Sequence, residues 1–217
     1  IRAFFMKKAT TILLLFCVFT TQSQEFSRKD SLRGNLTEIR TCYDVTFYDL
    51  FVMVDEQELS IERSYNIIHF TALTDFNSLQ IDLAANMEIF RIDFEEDTLG
   101  FNREFDAVYV DFTRVIKKGE QASIKVWYGG CPKEAVNPPW DGGFSWKNDK
   151  NGNPWIGVSC QGLGAGTWWP CKDHQSDEPD SMKITSTVRN PWQAISNGNV
   201  RSDTSEWNQY LGSWTNV

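Results

Sequence analysis

Histidine, positive charge and long apolar runs are all scarce in this sequence. It has two histidines, His69 and His174, and 21 Lys and Arg against 29 Asp and Glu, a formal charge of −8. No His-Glu-x-x-His occurs, so the helix that offers zinc two ligands and a general base is missing. No Gly-x-Ser-x-Gly occurs either, which removes the usual serine-hydrolase elbow. An acidic chain lacks the clustered Lys and Arg that a phosphate backbone requires, and nucleic acid is set aside as a partner. The longest apolar run, 12–19, is too short for a membrane span of roughly 20 residues. There is no repeat of 20–50 residues, no low-complexity linker and no amphipathic helix of three turns.

The apolar run that does exist lies near the N-terminus. Lys7 and Lys8 precede it, and Thr21 and Ser23 follow at the spacing a signal peptidase reads. Residues 1–23 are therefore expected to be a secretory signal peptide, with Met6 as its initiator and residues 24–35 as a polar lead. Bulky Phe16 before Cys17 argues against lipidation. Removing residues 1–23 takes away Arg2, Lys7 and Lys8 and no acid, which moves the charge from −8 to −11. Export to the periplasm or the extracellular space follows as an expectation. An oxidising compartment permits disulfides among Cys42, Cys131, Cys160 and Cys171, and the sequence leaves their pairing open, including none.

From Cys42 onward, short segments alternate with period two, the mark of strands with one buried face. "SLQIDLA" sets Leu79, Ile81 and Leu83 on one face and Ser78, Gln80 and Asp82 on the other. "AVYVDF" does the same with Val108, Val110 and Phe112, and "ASIKVWY" with Ile124, Val126 and Tyr128. "MKITSTV" alternates Met182, Ile184, Ser186 and Val188 against Lys183, Thr185 and Thr187. "TCYDVTFYDLFVMVDEQ" reads as one long strand ending in a polar turn. Turn signals recur at "TDFNS", "EDTLGFN", "KKGEQ", "KNDKNGNP" and "ISNGN". The chain is expected to be all-β, a sandwich of curved, mostly antiparallel sheets.

From about residue 129 the texture changes to Gly, Pro and Trp with little strand pattern. Long irregular stretches inside a domain tend to carry function. Three chemistries compete there. Cys171 and His174 form one Cys-x-x-His pair, but a structural zinc site wants two such pairs. A cysteine nucleophile at Cys160 or Cys171 with His174 has no local support. Trp140, Trp146, Trp155, Trp168 and Trp169 offer a stacking platform for sugar rings, so a carbohydrate-binding or adhesion β-module is the rival reading.

At "GVSCQGLGAGTWWPCKDHQSDEPD" the sequence resembles the aminopeptidase N family of zinc metallopeptidases, leukotriene hydrolase included, and in particular its exported bacterial branch. The likeness spans about residues 36–217, through "PPWDGGFSW" to "NPWQAISNGNV". It implies a saddle-shaped all-β N-terminal domain preceding a thermolysin-like catalytic domain. The specific match is a Gln or Glu nine residues before a Pro-Cys-x-Asp corner, here Gln161 before Pro170. By that resemblance Gln161 helps hold the free α-amino group of a peptide substrate. Pro170, Cys171 and Asp173 would carry structure, with Asp173 accepting backbone N–H bonds and Trp168 and Trp169 wedging the corner onto the sheet. Gly166 stands where the family has arginine, Ser159 where it has a second glutamine, and Asp-Glu-Pro comes late, at 177–179. The resemblance implies zinc in the full-length enzyme with ligands beyond Val217, peptides as substrates, and no metal site or catalytic residue in this chain. The start ahead of Met6 and the stop in β-patterned sequence read as a truncated reading frame.

Overall fold

In the computed structural model, residues 25–217 are described, and the signal peptide expected at 1–23 lies outside them. Two short helices, α1 (Arg28–Gly34) and α2 (Glu38–Thr41), precede the strands. The strands are β1 (Tyr43–Asp55), β2 (Ser60–Ala72), β3 (Phe76–Asp82), β4 (Met87–Phe94), β5 (Asp97–Thr98), β6 (Gly100–Glu104), β7 (Ala107–Ile116) and β8 (Gln121–Gly130). After them come β9 (Gly143–Asn148), β10 (Pro154–Ser159), β11 (Ser181–Arg189), β12 (Ser205–Asn208) and β13 (Ser213–Asn216).

The long Val-, Phe- and Tyr-rich β1 is the centre of an eight-stranded sheet ordered β12-β13-β11-β1-β2-β8-β4-β5. It runs antiparallel to β2 and parallel to β11. Between β1 and β2 the Asp55 carboxylate accepts the N–H groups of Gln57 and Glu58, the local bond that makes Asp a turn former. A three-stranded sheet, β3-β7-β6, packs over part of the large one, and β9 and β10 form a separate hairpin. The expected all-β sandwich is what forms.

The core lies between the two sheets. Phe112 of β7 meets Phe94 of β4 edge-on with centroids 5.0 Å apart, and Phe76 and Phe70 close the cluster at 5.7 and 6.3 Å. Leu79, Ile81, Val108, Val110, Ile124, Val126 and Tyr128 are all buried there, as their alternation requires. Two strands depart from the pattern. On β3 the polar face is covered as well, so Gln80 and Asp82 are buried. On β11 the apolar face is not core: Met182 is exposed, whereas Thr187 and Arg189 are buried. Three strands cannot cover eight, and no β11 residue joins the core cluster. Arg189 is held instead by Asp55 and Glu56.

The segment from 129 is less irregular than its composition suggests. "GFSWKN" and "PWIGVS" pair as β9 and β10 around the "DKNG" turn, where Asp149 accepts the N–H groups of Asn151 and Asn153. The polar lead also acquires structure. Ser27 and Asp30 form a reciprocal capping box at the start of α1, and Leu32 is buried beneath it. Arg28 and Lys29 pair with Glu104 and Asp106 at the turn between β6 and β7. Ser27→Ala removes the cap, and an expected loss of about 1 kcal/mol is readable by urea denaturation.

Candidate functional site

The corner singled out by sequence begins where β10 ends. Gln161 and Gly162 form a turn closed by bonds from the Leu163 and Gly164 N–H groups to Cys160 O, at 3.0 and 2.9 Å. Gly162 and Gly164 hold φ of +80° and +79°, the left-handed region that L side chains resist. Gln161 is exposed on this turn, and its carboxamide makes no hydrogen bond among the described residues.

Asp173 fills the crook behind the turn. Its carboxylate lies against the backbone at Gly164 and Gly166, the turn where sequence reasoning expected it to accept N–H bonds. A Cβ at Gly164 would fall on that carboxylate, and one at Gly166 would stand 3.1 Å from Asp173 Oδ2 and 3.4 Å from Asp82 O. The crook is closed to side chains, which is a physical reason for glycine at 166. Burial pushes the Asp173 carboxyl above its ordinary value, against the pull of Arg33.

The remainder of the corner is pinned to both sheets. Cys171 and Asp82 exchange backbone bonds of 2.7 and 3.1 Å, and Asn66 Nδ2 donates to Pro170 O at 2.8 Å. The Lys172 N–H donates to Tyr48 OH at 3.1 Å. The Lys172 ammonium is buried, donating to Tyr43 O at 2.6 Å and pairing with Asp177. The late Asp-Glu-Pro therefore supplies a buried counter-ion through its first residue, Asp177. Beneath the corner, Arg40 pairs with Asp82, both buried, and Asp82 also accepts from Gln80 Nε2 and the Asp173 N–H, each at 3.0 Å.

The tryptophans pack against the corner and the core. Trp169 meets Tyr48 edge-on at 5.0 Å, Trp168 meets Phe144 at 5.7 Å, and Phe144 stacks on Trp146 at 5.2 Å. Trp168 and Trp169 thus wedge the corner onto the sheet, while Trp140 and Trp155 stand alone at the surface. On the large sheet, Trp207 of β12 and Trp214 of β13 meet edge-on at 6.3 Å and are exposed, while other aromatics are already engaged. Phe51 stacks on Tyr65, and the Lys125 ammonium caps Tyr65 and Trp127 at 3.7 and 4.0 Å.

The competing chemistries fare poorly. Cys171 is buried, and burial drives its thiol well above the ordinary range; Cys160 is pushed up by burial too, so neither is a ready nucleophile. All four cysteines of the described residues are free thiols. The ring nitrogens of His174 lie 2.8 Å from Ser176 Oγ and 3.3 Å from Gly34 O. Among the described residues no three His, Cys, Asp or Glu stand close enough to hold a metal ion. These residues do not fit a zinc ion.

Two clefts flank the turn. One of about 400 Å³ runs under α1 between Lys29, Leu32, Asp82, Asp106 and Lys133. The other, of about 440 Å³, opens beside Gly162 between Arg33, Cys160, Asp173 and His174. Arg33, Arg40 and the Lys172–Asp177 pair were not found by sequence reasoning. Their partners lie far along the chain or at a spacing no motif records.

This two-sheet architecture is similar to one found in solved zinc metallopeptidases. An M1 zinc metallopeptidase from Deinococcus radiodurans, in a mutant bound to a Tyr-Ser-Ala substrate, superposes with a TM-score of 0.64 at 21% identity, over 81% of this chain and 38% of that one. A two-domain M1 zinc metallopeptidase mutant bound to L-tryptophan gives 0.64 at 21% identity, over 81% and 39%. The unmutated D. radiodurans enzyme gives 0.63 at 20% identity, over 81% and 38%. At this identity the likeness establishes the fold, and the chain spans under two fifths of the structures it matches. No family model matches the sequence, and neither does any curated protein. No helix among the described residues is long and apolar enough to cross a membrane.

Proposed function

We propose that this chain is the substrate-anchoring N-terminal β-domain of an exported zinc aminopeptidase that removes N-terminal residues from peptides. The observation that carries the reading is Gln161. It stands exposed on a turn with the Asp173 carboxylate packed behind it, in a fold shared with peptidases. An amide oxygen accepts a hydrogen bond from an ammonium group. Holding the leading amine of a peptide at a fixed place directs cleavage to the first peptide bond, because only that bond then reaches the reacting groups. On this reading Gln161 contacts substrate, while Pro170, Cys171 and Asp173 shape the corner. The zinc and its ligands belong to sequence beyond Val217.

The chain of 217 residues is then expected to hold no stoichiometric zinc and to hydrolyse nothing. Metal analysis after dialysis against a weak chelator, with an aminoacyl anilide assay, checks both. One retained zinc per chain, or turnover above a heat-killed control, would overturn this division of labour. Export is tested by fusing residues 1–23 to a reporter enzyme active only outside the cytoplasm. An inactive reporter removes the periplasmic or extracellular placement.

A further inference from the structure

We infer that α1 is a strap that sets the Gln161 turn, with Arg33 as its positioning residue. This rests on the reading of Gln161 as the substrate contact, although the mechanical part stands without it. Arg33 Nη2 donates to Gly162 O at 3.2 Å, on the residue next to Gln161. The same nitrogen lies 3.8 Å from Asp173 Oδ2, and the Asp173 carboxylate packs against Gly164 and Gly166 at the far end of the turn. One guanidinium therefore links the first residue after Gln161 to the carboxylate that backs Gly164 and Gly166.

Arg33 is itself fixed by the chain around it. Its carbonyl accepts from buried Arg40, the Leu32 carbonyl accepts from Gln80 Nε2 at 3.2 Å, and Gly34 O faces His174. Arg28 and Lys29 anchor the opposite end of the helix to Glu104 and Asp106. The bracing of a side chain by locked neighbours is what holds a contacting group in its productive geometry. A planar fork with several donors suits the double task, since it can serve a carbonyl and a carboxylate together.

Amide exchange followed in the full chain tests the strap. Arg33→Ala should speed exchange of the Leu163 and Gly164 amides by about tenfold, since both bonds close this turn, while amides of β2 and β8 keep their protection. Arg33→Lys keeps a cation able to donate to Gly162 O and should return the rates toward the parent. The Arg33 side chain is 39% exposed, so its loss leaves the core intact. In the longer polypeptide bearing the peptidase portion, Arg33→Ala should raise KM for an aminoacyl anilide with kcat nearly unchanged. Adding Gln161→Ala to it should cost less than Gln161→Ala costs alone. Unchanged exchange at Leu163 and Gly164, or strictly additive kinetics, overturns the strap. If Gln161→Ala alone leaves KM unmoved while the exchange result holds, the substrate-contact reading falls and the brace remains.

Discussion

Arg40→Met lowers the unfolding free energy by about 3–5 kcal/mol at neutral pH, the cost typical of leaving one member of a buried pair without its partner. Arg40 is among the largest fully buried side chains of the described residues, and its guanidinium pairs with Asp82. Methionine keeps much of the aliphatic stem, so the change removes charge more than volume. Asp82 would retain bonds from Gln80 and the Asp173 N–H, but no cation within the interior. Burial already raises the Asp82 carboxyl above its ordinary value, with Arg40 pulling it down. Removing that pull raises it further. The folded variant then binds a proton more tightly than the unfolded chain does, so its stability falls as pH rises through the folded pKa and recovers as pH falls below it. Denaturation curves across the acid range check both magnitude and sign. Asp82→Asn added to Arg40→Met should restore part of the loss, since no buried charge is then left alone. A double variant no more stable than Arg40→Met would sink this account.

Gln161→Ala, made in the polypeptide that carries the peptidase portion, lowers kcat/KM for aminoacyl substrates by about five- to 150-fold. That is the 1–3 kcal/mol of one hydrogen bond to a charged group. On the proposed reading the bond to the substrate amine exists before and during reaction, so the loss should appear chiefly in KM. Gln161→Glu should retain binding, because a carboxylate accepts from an ammonium at least as well. Peptides with an acetylated amino terminus should be indifferent to either change, as they offer no ammonium. Parent-like KM for the alanine variant would leave Gln161 as a loop residue only. An equal loss on acetylated peptides would assign it to the scaffold.

Much of the scaffold was legible because strands declare themselves by alternation. Val108, Val110, Ile124, Val126 and Tyr128 are apolar at every second position, and one buried face accounts for all of them. The Pro-Cys-x-Asp corner was legible as a spacing, and the Asp173 carboxylate does lie behind the turn, against Gly164 and Gly166. The hairpin β9–β10 was hidden. Its Gly-, Trp- and Lys-rich strands carry weak periodicity, and only "DKNG" marked the turn between them. Strand β11 looked like a core strand, yet alternation says which residues share a face and not whether another layer covers it.

The sequence by itself determined the class of fold, the long central strand and the loop where chemistry should be sought. Those depend on period, on turn chemistry and on local spacing, all of which act within a few residues. Only the tertiary structure decided which polar groups lie inside. Gln80 and Asp82 read as the solvent face of β3, but they are buried because Arg40 and the helix before it close over them. Arg33 likewise reads as one cation in a polar lead. Its contact with a carbonyl 129 positions further on exists only because two sheets and a strap bring those ends together. Long-range closure of this kind leaves no periodic trace, since the partners are chosen by where the folded backbone places them.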